Sequence, residues 1–303
     1  CYDRDYTRCV RCGRIIDTDH CWYPLDNDDP YCADCCSTIE NSPIHDYYFK
    51  PYPIFYGDGS RYFGVELEID DGGECDSSAE ALMDIVNQSK TLAYCKHDGS
   101  LDDGFEIVTH PMSLDSQLHE MPWAEVLDKA ISMGYLSHQA GTCGLHVHVS
   151  RKAFGDTLDA QDNAIARVLF FVERHWAELL RFSRRTQRQL EQWAARYGYR
   201  DRPGEMLEHV KKGHGSRYTC VNLTNADTIE FRMFRGTLKP NTLIATLQLV
   251  DHICDAAIFM SDDELHDLPW SSFVSAIKEP ELVQYLKERN LYINEPVEAE
   301  GEV

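Results

Sequence analysis

The chain has 303 residues, 43% hydrophobic and 26% charged, enough for one large domain, or a large and a small one, with an enzyme-sized core. No apolar run of the roughly 18–20 residues a membrane span needs stands out, and the apolar content excludes a disordered chain. Twenty-nine Lys and Arg against 51 Asp and Glu give a net charge of −22, which repels phosphate over most of the surface and excludes a general nucleic-acid binder.

Residues 1–50 form a cysteine-rich unit. Cys9-x2-Cys12 and Cys32-x2-Cys35, separated by 19 residues, have the spacing of a four-thiolate structural zinc site, and a unit this short with few aliphatics needs that bond to fold. Cys1, Cys21, Cys36 and His20 remain as spare ligands. Five basic against ten acidic side chains in this unit point to docking a partner or packing on the neighbouring domain. The other cysteines, Cys75, Cys95, Cys143, Cys220 and Cys254, are scattered singly. With no basic-then-apolar leader, they fit a reducing cytoplasm. Because the first residue is Cys1 rather than Met, residues upstream of it are expected.

Asn41-Ser42-Pro43 through Pro51-Tyr52-Pro53 is a turn-rich linker, a second domain is expected over 54–294, and 295–303 is an acidic tail. From Tyr62, Phe63-Gly64-Val65-Glu66-Leu67-Glu68-Ile69 alternates as a strand with one polar face, and 78–90 has helical spacing. Gly104 to Thr109 is a short strand ended by Pro111. The spacing of Leu114, Leu118, Trp123, Val126, Leu127 and Ile131 predicts a helix over 114–133, closed by Gly134. Gly144 to Val149 alternates again, and Ile165, Leu169, Val172, Trp176, Leu179 and Leu180 predict a long helix over 158–197. Residues 219–223 and 228–234 are alternating strands joined by an Asn225-Ala226-Asp227 turn, and helices over 241–260 and 271–289 follow. Strands mixed with helices without regular strand-helix-strand spacing predict an α+β fold with a largely antiparallel sheet.

Three of these strands carry same-face polar pairs: Glu66-x-Glu68, His146-x-His148 and Glu230-x-Arg232. Each alone is what a solvated strand face or a sheet ion pair also shows. On one shared sheet they would set carboxylates for divalent cations beside His and Arg for phosphate oxygens, the equipment of metal-assisted phosphoryl transfer. The loops Lys96-His97-Asp98-Gly99-Ser100 and Gly141-Thr142-Cys143-Gly144 enter such strands. Residues 181–217 carry ten Lys and Arg against four acids, ending in the basic loop Lys211 to Arg217. That stretch is either a phosphate-attracting site with a loop that closes over phosphates, or a solvated helix face with a surface loop. Cys143 near His146 would suit a thiol nucleophile only with an orienting third group, and none is evident.

Phe63-Gly64-Val65-Glu66-Leu67-Glu68, Lys96-His97-Asp98-Gly99-Ser100 with Gly104 to Pro111, Cys143-Gly144-Leu145-His146-Val147-His148-Val149, and Asn222-Leu223 with Thr228 to Thr237 resemble, in family order, the motifs of the amidoligases. That family is similar to glutamine synthetase and γ-glutamylcysteine synthetase, and the resemblance covers roughly residues 60–260. It implies a curved, largely antiparallel glutamine-synthetase-like sheet packed with helices, here preceded by a zinc-ribbon or treble-clef-like module. It further implies ATP with Mg²⁺ or Mn²⁺, transfer of the γ-phosphate to a substrate carboxylate, and displacement of the acylphosphate by an amine. Glu66, Glu68, His146 and Glu230 match metal ligands, Glu106 another metal-binding carboxylate, His148 a nucleotide or phosphate contact, and Arg232 a phosphate or transition-state clamp. Arg235, Arg217 and Lys212 match phosphate or substrate contacts. The implied substrates are a carboxylate and an amine, small or borne on a peptide or protein, with neither nucleic acid nor membrane as partner. The alternatives are a metal-dependent hydrolase built on the same His and Glu cluster, and a zinc-stabilised interaction protein without turnover.

Overall fold

The computed structural model describes residues 6–23, 29–40, 42–213 and 217–293, with 37–40 described by their backbone. Cys1, Asn41, the acidic tail at 295–303 and residues 214–216 of the basic loop lie outside the described residues.

Two short antiparallel strands open the chain, β1 (Tyr6–Arg8) and β2 (Ile15–Asp17). Between them Cys9 to Cys12 form a tight turn: Gly13 N–H donates to the Cys9 carbonyl and Cys9 N–H to the Arg14 carbonyl, each at 2.8 Å. Gly13 closes this turn at φ +70°, a left-handed conformation that glycine adopts without steric cost. Cys32 and Cys35 stand at the start of helix α1 (Ala33–Glu40). Cys9, Tyr31, Cys32 and Cys36 make a small core of their own.

The second unit is mixed α and β. Its sheet holds β3 (Ile44–His45), β4 (Phe63–Ile69), β5 (Ala93–Lys96), β6 (Phe105–Thr109), β7 (Gly144–Ser150), β8 (Val221–Asn222) and β9 (Thr228–Arg235), in spatial order β3-β5-β6-β4-β7-β9-β8. All neighbours are antiparallel except β3 and β5. The short β3 falls inside the expected linker, so the sheet begins before residue 54.

The helices of this unit are α2 (Asp76–Val86), α3 (Leu114–His119), α4 (Trp123–Ser132), α5 (Leu158–Arg174), α6 (Trp176–Ser183), α7 (Gln187–Trp193), α8 (Pro203–Lys212), α9 (Pro240–Phe259), α10 (Asp262–Asp267), α11 (Trp270–Ser275) and α12 (Pro280–Glu288). Phe63, Val65, Leu67 and Ile69 of β4 join Ile165, Leu169 and Val172 of α5 and Leu243, Leu247 and Val250 of α9 in one core. The strand periodicity therefore sets one face of the sheet against the helices and leaves the other polar.

Three helices expected as continuous are broken. The 114–133 pattern splits at Pro122, which has no N–H to give and begins a new helix. The 158–197 pattern becomes α5, α6 and α7. His175 leaves helical geometry at φ −101°, ψ 30°; Arg184 turns left-handed at φ 61°; and Thr186 starts α7 with a capping box to Gln189. Buried Glu173 fixes the far end, accepting from Tyr197 N–H at 2.7 Å and Gly198 N–H at 3.0 Å. The 271–289 pattern divides at Pro280. Helix α8 was not expected, and it absorbs Lys211 and Lys212 of the basic loop.

Helix α9 is long and apolar enough to cross a membrane, with a mean hydropathy of 1.4 over 18 residues, although 67% of that window is buried inside the fold. Length alone therefore does not exclude a span; burial identifies α9 as the central core helix.

Candidate active site

With Phe63, Val65, Leu67 and Ile69 turned to the core, Gly64, Glu66 and Glu68 occupy the opposite face of β4, and Asp70 follows them. Glu66 lies across from His146 of β7, Gly64 from His148, and Glu68 from Glu106 of β6. His148 in turn faces Glu230 of β9, and Glu106 faces Lys96 of β5. The three same-face pairs found in the sequence thus sit on three neighbouring strands, β4, β7 and β9.

Their side chains converge. His148 Nε2 is 3.2 Å from Glu66 Oε1 and 4.0 Å from Glu230 Oε1. His146 stands between three carboxylates, with Nδ1 3.4 Å from Glu66 and 3.7 Å from Glu230, and Nε2 3.8 Å from Glu68. Arg232 pairs with Glu230, and Lys96 Nζ is 3.1 Å from Glu106 Oε1. Glu68, Glu106, His146 and Glu230 are each less than 7% exposed. Three glutamates so enclosed, with the partly buried Glu66 beside them, need compensating positive charge.

The titration behaviour shows that need. Burial pushes Glu68 up, Asp98 adding to it against the pull of His146; burial and then the charge of Glu66 hold Glu106 well above the usual carboxylate range. Burial also opposes ionisation of Glu66 and Glu230, but His148 and His146 outweigh it and keep both low. Against burial, Glu66 and Glu230 raise His148 to about 9. The charge held between these two carboxylates is the imidazolium of His148, and a metal cation bound there would take the place of its ring proton. Glu66, His148 and Glu230 each offer a ligand atom within 4.8 Å of the others, two hard carboxylate donors and one borderline imidazole, a set able to hold a divalent cation. The geometry puts His148, rather than His146, in this trio.

Several contributors went unassigned in the sequence. Asn222 Nδ2 and Asn225 Nδ2 donate to Glu230 Oε2 at 2.7 and 3.3 Å; the hairpin register that opposes Asn222 to Glu230 was the signal for the first. Gly144 N–H donates to Glu68 Oε2. A Cβ on Gly144 would lie 2.5 Å from Arg185 Nη2 and 2.8 Å from His146 Nε2, so glycine keeps this corner open. Arg185 donates to the Phe234 carbonyl at 3.2 Å and lies where Glu68 attracts it and Arg232 and Arg235 repel it. Nothing in the sequence distinguished it from the other arginines of 181–217. Asp70, at the foot of the same face, accepts from Asp103 N–H at 2.7 Å, Asp102 N–H at 3.1 Å and Thr142 Oγ1 at 2.6 Å, tying the two loops together.

Other expected contacts lie elsewhere or are engaged. Lys212 pairs with Glu208 of its own helix at 3.0 Å, and both are exposed. Arg235 donates to the His138 carbonyl. Arg217 is bonded to Tyr47 and Tyr218. The Cys143 thiol is buried and pushed up to about 12, protonated and unsuited to nucleophilic attack.

The four cysteines of the first unit also meet. Cys9, Cys12, Cys32 and Cys35 place their sulfurs within 4.8 Å of one another, and Cys12 Sγ is 3.8 Å from Cys32 Sγ. That separation is the edge of a tetrahedron with metal–sulfur bonds of about 2.3 Å, the dimensions of a zinc tetrathiolate.

A family model described as "Putative amidoligase enzyme" matches residues 82–254. No curated protein matches the chain. Among solved structures, a bifunctional glutathione synthetase from Pasteurella multocida aligns over 76% of this chain and 46% of its own, at 14% identity and a TM-score of 0.41. The complex of the prokaryotic ubiquitin-like protein Pup with its ligase PafA aligns over 66% of this chain and 46% of its own, at 9% identity and a TM-score of 0.32. The chain therefore spans about half the length of either structure, and likeness at this level carries no argument about activity.

Proposed function

The chain belongs to the amidoligase family, and from that premise we propose that it is an ATP- and Mg²⁺-dependent carboxylate-amine ligase forming an amide or isopeptide bond. The observation that carries the proposal is the convergence of Glu66, Glu68, Glu106, His146, His148, Glu230 and Arg232 on one buried polar sheet face.

In this reading Glu66, His148 and Glu230 hold one divalent cation, with Glu68, Glu106 and His146 available to a second. Cations bound there would neutralise triphosphate charge and polarise the γ-phosphorus. Arg232, paired with Glu230 in the free protein, takes the oxygens of the transferring phosphoryl group. A bond forms between the substrate carboxylate oxygen and the γ-phosphorus as the bond to the β-phosphate oxygen breaks and ADP leaves. The amine nitrogen then attacks the acyl carbon. Phosphate departs with the electrons of the carbon–oxygen bond, and the amine proton passes to phosphate or solvent. The step is needed because a carboxylate has no leaving group of its own. The curved, glutamine-synthetase-like form of the sheet and a treble-clef-like arrangement of a zinc-bound first unit belong to the same proposal, as do a cytoplasmic setting and docking of a peptide or protein through that unit.

The test is a thermal-shift titration with ATP, ADP and a non-hydrolysable ATP analogue, with and without Mg²⁺, on the wild type and Glu66→Ala/Glu68→Ala. At 100 times its dissociation constant a ligand adds about 2.7 kcal/mol. A Mg²⁺-dependent shift lost in the double variant is expected, and ADP release then screens carboxylate and amine pairs. No shift at saturating nucleotide would refute the ligase and favour the hydrolase or the interaction protein.

A further inference from the structure

The segment leaving the four-cysteine unit reaches the polar face. β3 pairs along the edge of β5, His97 N–H donates to the His45 carbonyl at 2.8 Å, and the His45 ring stacks on Phe49 at 3.7 Å, so the backbone around Tyr47 is anchored. The Tyr47 ring has Lys96 Nζ 5.5 Å from its centre and the Arg217 guanidinium carbon 5.7 Å from it. Arg217 also donates to the Tyr47 hydroxyl. On its other side Arg217 lies 4.9 Å from the ring centre of Tyr218 and donates to its hydroxyl at 2.8 Å, and Arg232 lies 6.0 Å from that ring. Lys96 and Arg232 are the cations paired with Glu106 and Glu230, so two tyrosine rings and Arg217 link the β5 side of the face to its β9 side.

We propose that Tyr47 is a positioning residue of the active site, holding Lys96 and Arg217 toward an anionic substrate group. The choice of residue is the argument. An aromatic face attracts a cation without cancelling its charge, whereas a carboxylate here would fix Arg217 and repel the anion. Arg217 has no carboxylate partner among the described residues, although the chain carries a net charge of −22. Its positive charge is left for a ligand. That the ligand is the triphosphate of ATP rests on the ligase reading; that it is an anion rests on Arg217, which has tyrosine rather than carboxylate partners among the described residues.

The experiment measures binding of ATP·Mg²⁺ and, separately, of inorganic tripolyphosphate to the full chain by calorimetry, for the wild type, Tyr47→Ala and Tyr47→Phe. Tyr47→Ala removes the hydroxyl contact and both ring contacts and is expected to weaken both ligands roughly tenfold. Tyr47→Phe keeps the ring contacts and should restore most of that loss, which a merely structural role would not require. Tyr47 is only half-buried, so both variants should keep the wild-type melting temperature. Tripolyphosphate bound by the wild type and weakened in Tyr47→Ala, with no binding of ATP·Mg²⁺, would sink the ligase reading and leave the Tyr47 proposal standing. Unchanged or tighter binding in Tyr47→Ala, or no uptake of either probe by the wild type, would overturn it.

Discussion

Asn222 and Glu230 face each other across the β8–β9 pair, and Asn222 Nδ2 gives Glu230 Oε2 a 2.7 Å hydrogen bond. That bond fixes one oxygen of a carboxylate whose other oxygen lies beside His148 and Arg232. Groups that orient metal ligands typically control about 10–100-fold of affinity. Asn222→Ala should weaken Mn²⁺ binding by that order, measured by electron paramagnetic resonance titration. An unchanged affinity would show that the orientation of Glu230 is set without Asn222.

Arg232→Ala should leave the melting temperature near wild type, because Glu230 keeps His148 and Asn222 as partners. It should lower the rate of ADP release by roughly 10²–10³, the usual cost of removing one donor to developing negative charge. A fully active variant would remove Arg232 from the phosphoryl-transfer role.

Glu173, 3% exposed, accepts from Arg196 Nη2 at 2.6 Å and Nε at 2.9 Å and from two backbone N–H groups. Glu173→Ala would strand buried donors and undo the turn that separates α7 from α8, at a cost of about 3–5 kcal/mol. Urea unfolding monitored by fluorescence would show it; a loss under about 1 kcal/mol, within the range of an ordinary surface substitution, would mean the turn holds itself.

His175 is 5% exposed, its Nε2 has no hydrogen-bond partner among the described residues, and burial, helped by Arg174, pushes it from 6.5 down to about 4. The folded state therefore favours the neutral ring. Its contribution is fully present above pH 6.5, is lost as pH falls toward 4, and changes by about 2 kcal/mol between pH 8 and pH 5. Denaturation of the wild type and His175→Phe at both pH values should show the wild type losing that much more. Parallel losses would contradict the assignment.

One zinc per chain is expected by elemental analysis, falling to none in Cys9→Ser/Cys12→Ser. Chelation should make residues 6–40 protease-sensitive while the core around β4 and α9 keeps its unfolding transition, since the two cores are separate. Loss of both transitions together would show that the large unit depends on the small one.

How far the sequence carried the reading is clearest in these same residues. Period-two alternation placed Glu66 with Glu68, His146 with His148 and Glu230 with Arg232 on single faces, because a strand's pleat is a local property. It could not place Arg185 or Tyr47, which reach the site from distant segments with no local pattern to mark them. The helices failed where inward-facing residues continued the apolar spacing through a break. Pro122 and Pro280 were visible stops, but the turn after α7 is held by Glu173, more than twenty residues upstream.

By itself the sequence determined the cysteine quartet and the polar faces of the strands, both of which follow from short-range spacing. The tertiary structure decided the order β6-β4-β7-β9, and with it that His148 lies between Glu66 and Glu230. It also set Tyr47 between Lys96 and Arg217. Such neighbours depend on which strands and loops pack together across the whole chain, and that is a cooperative outcome of core burial that no local window encodes.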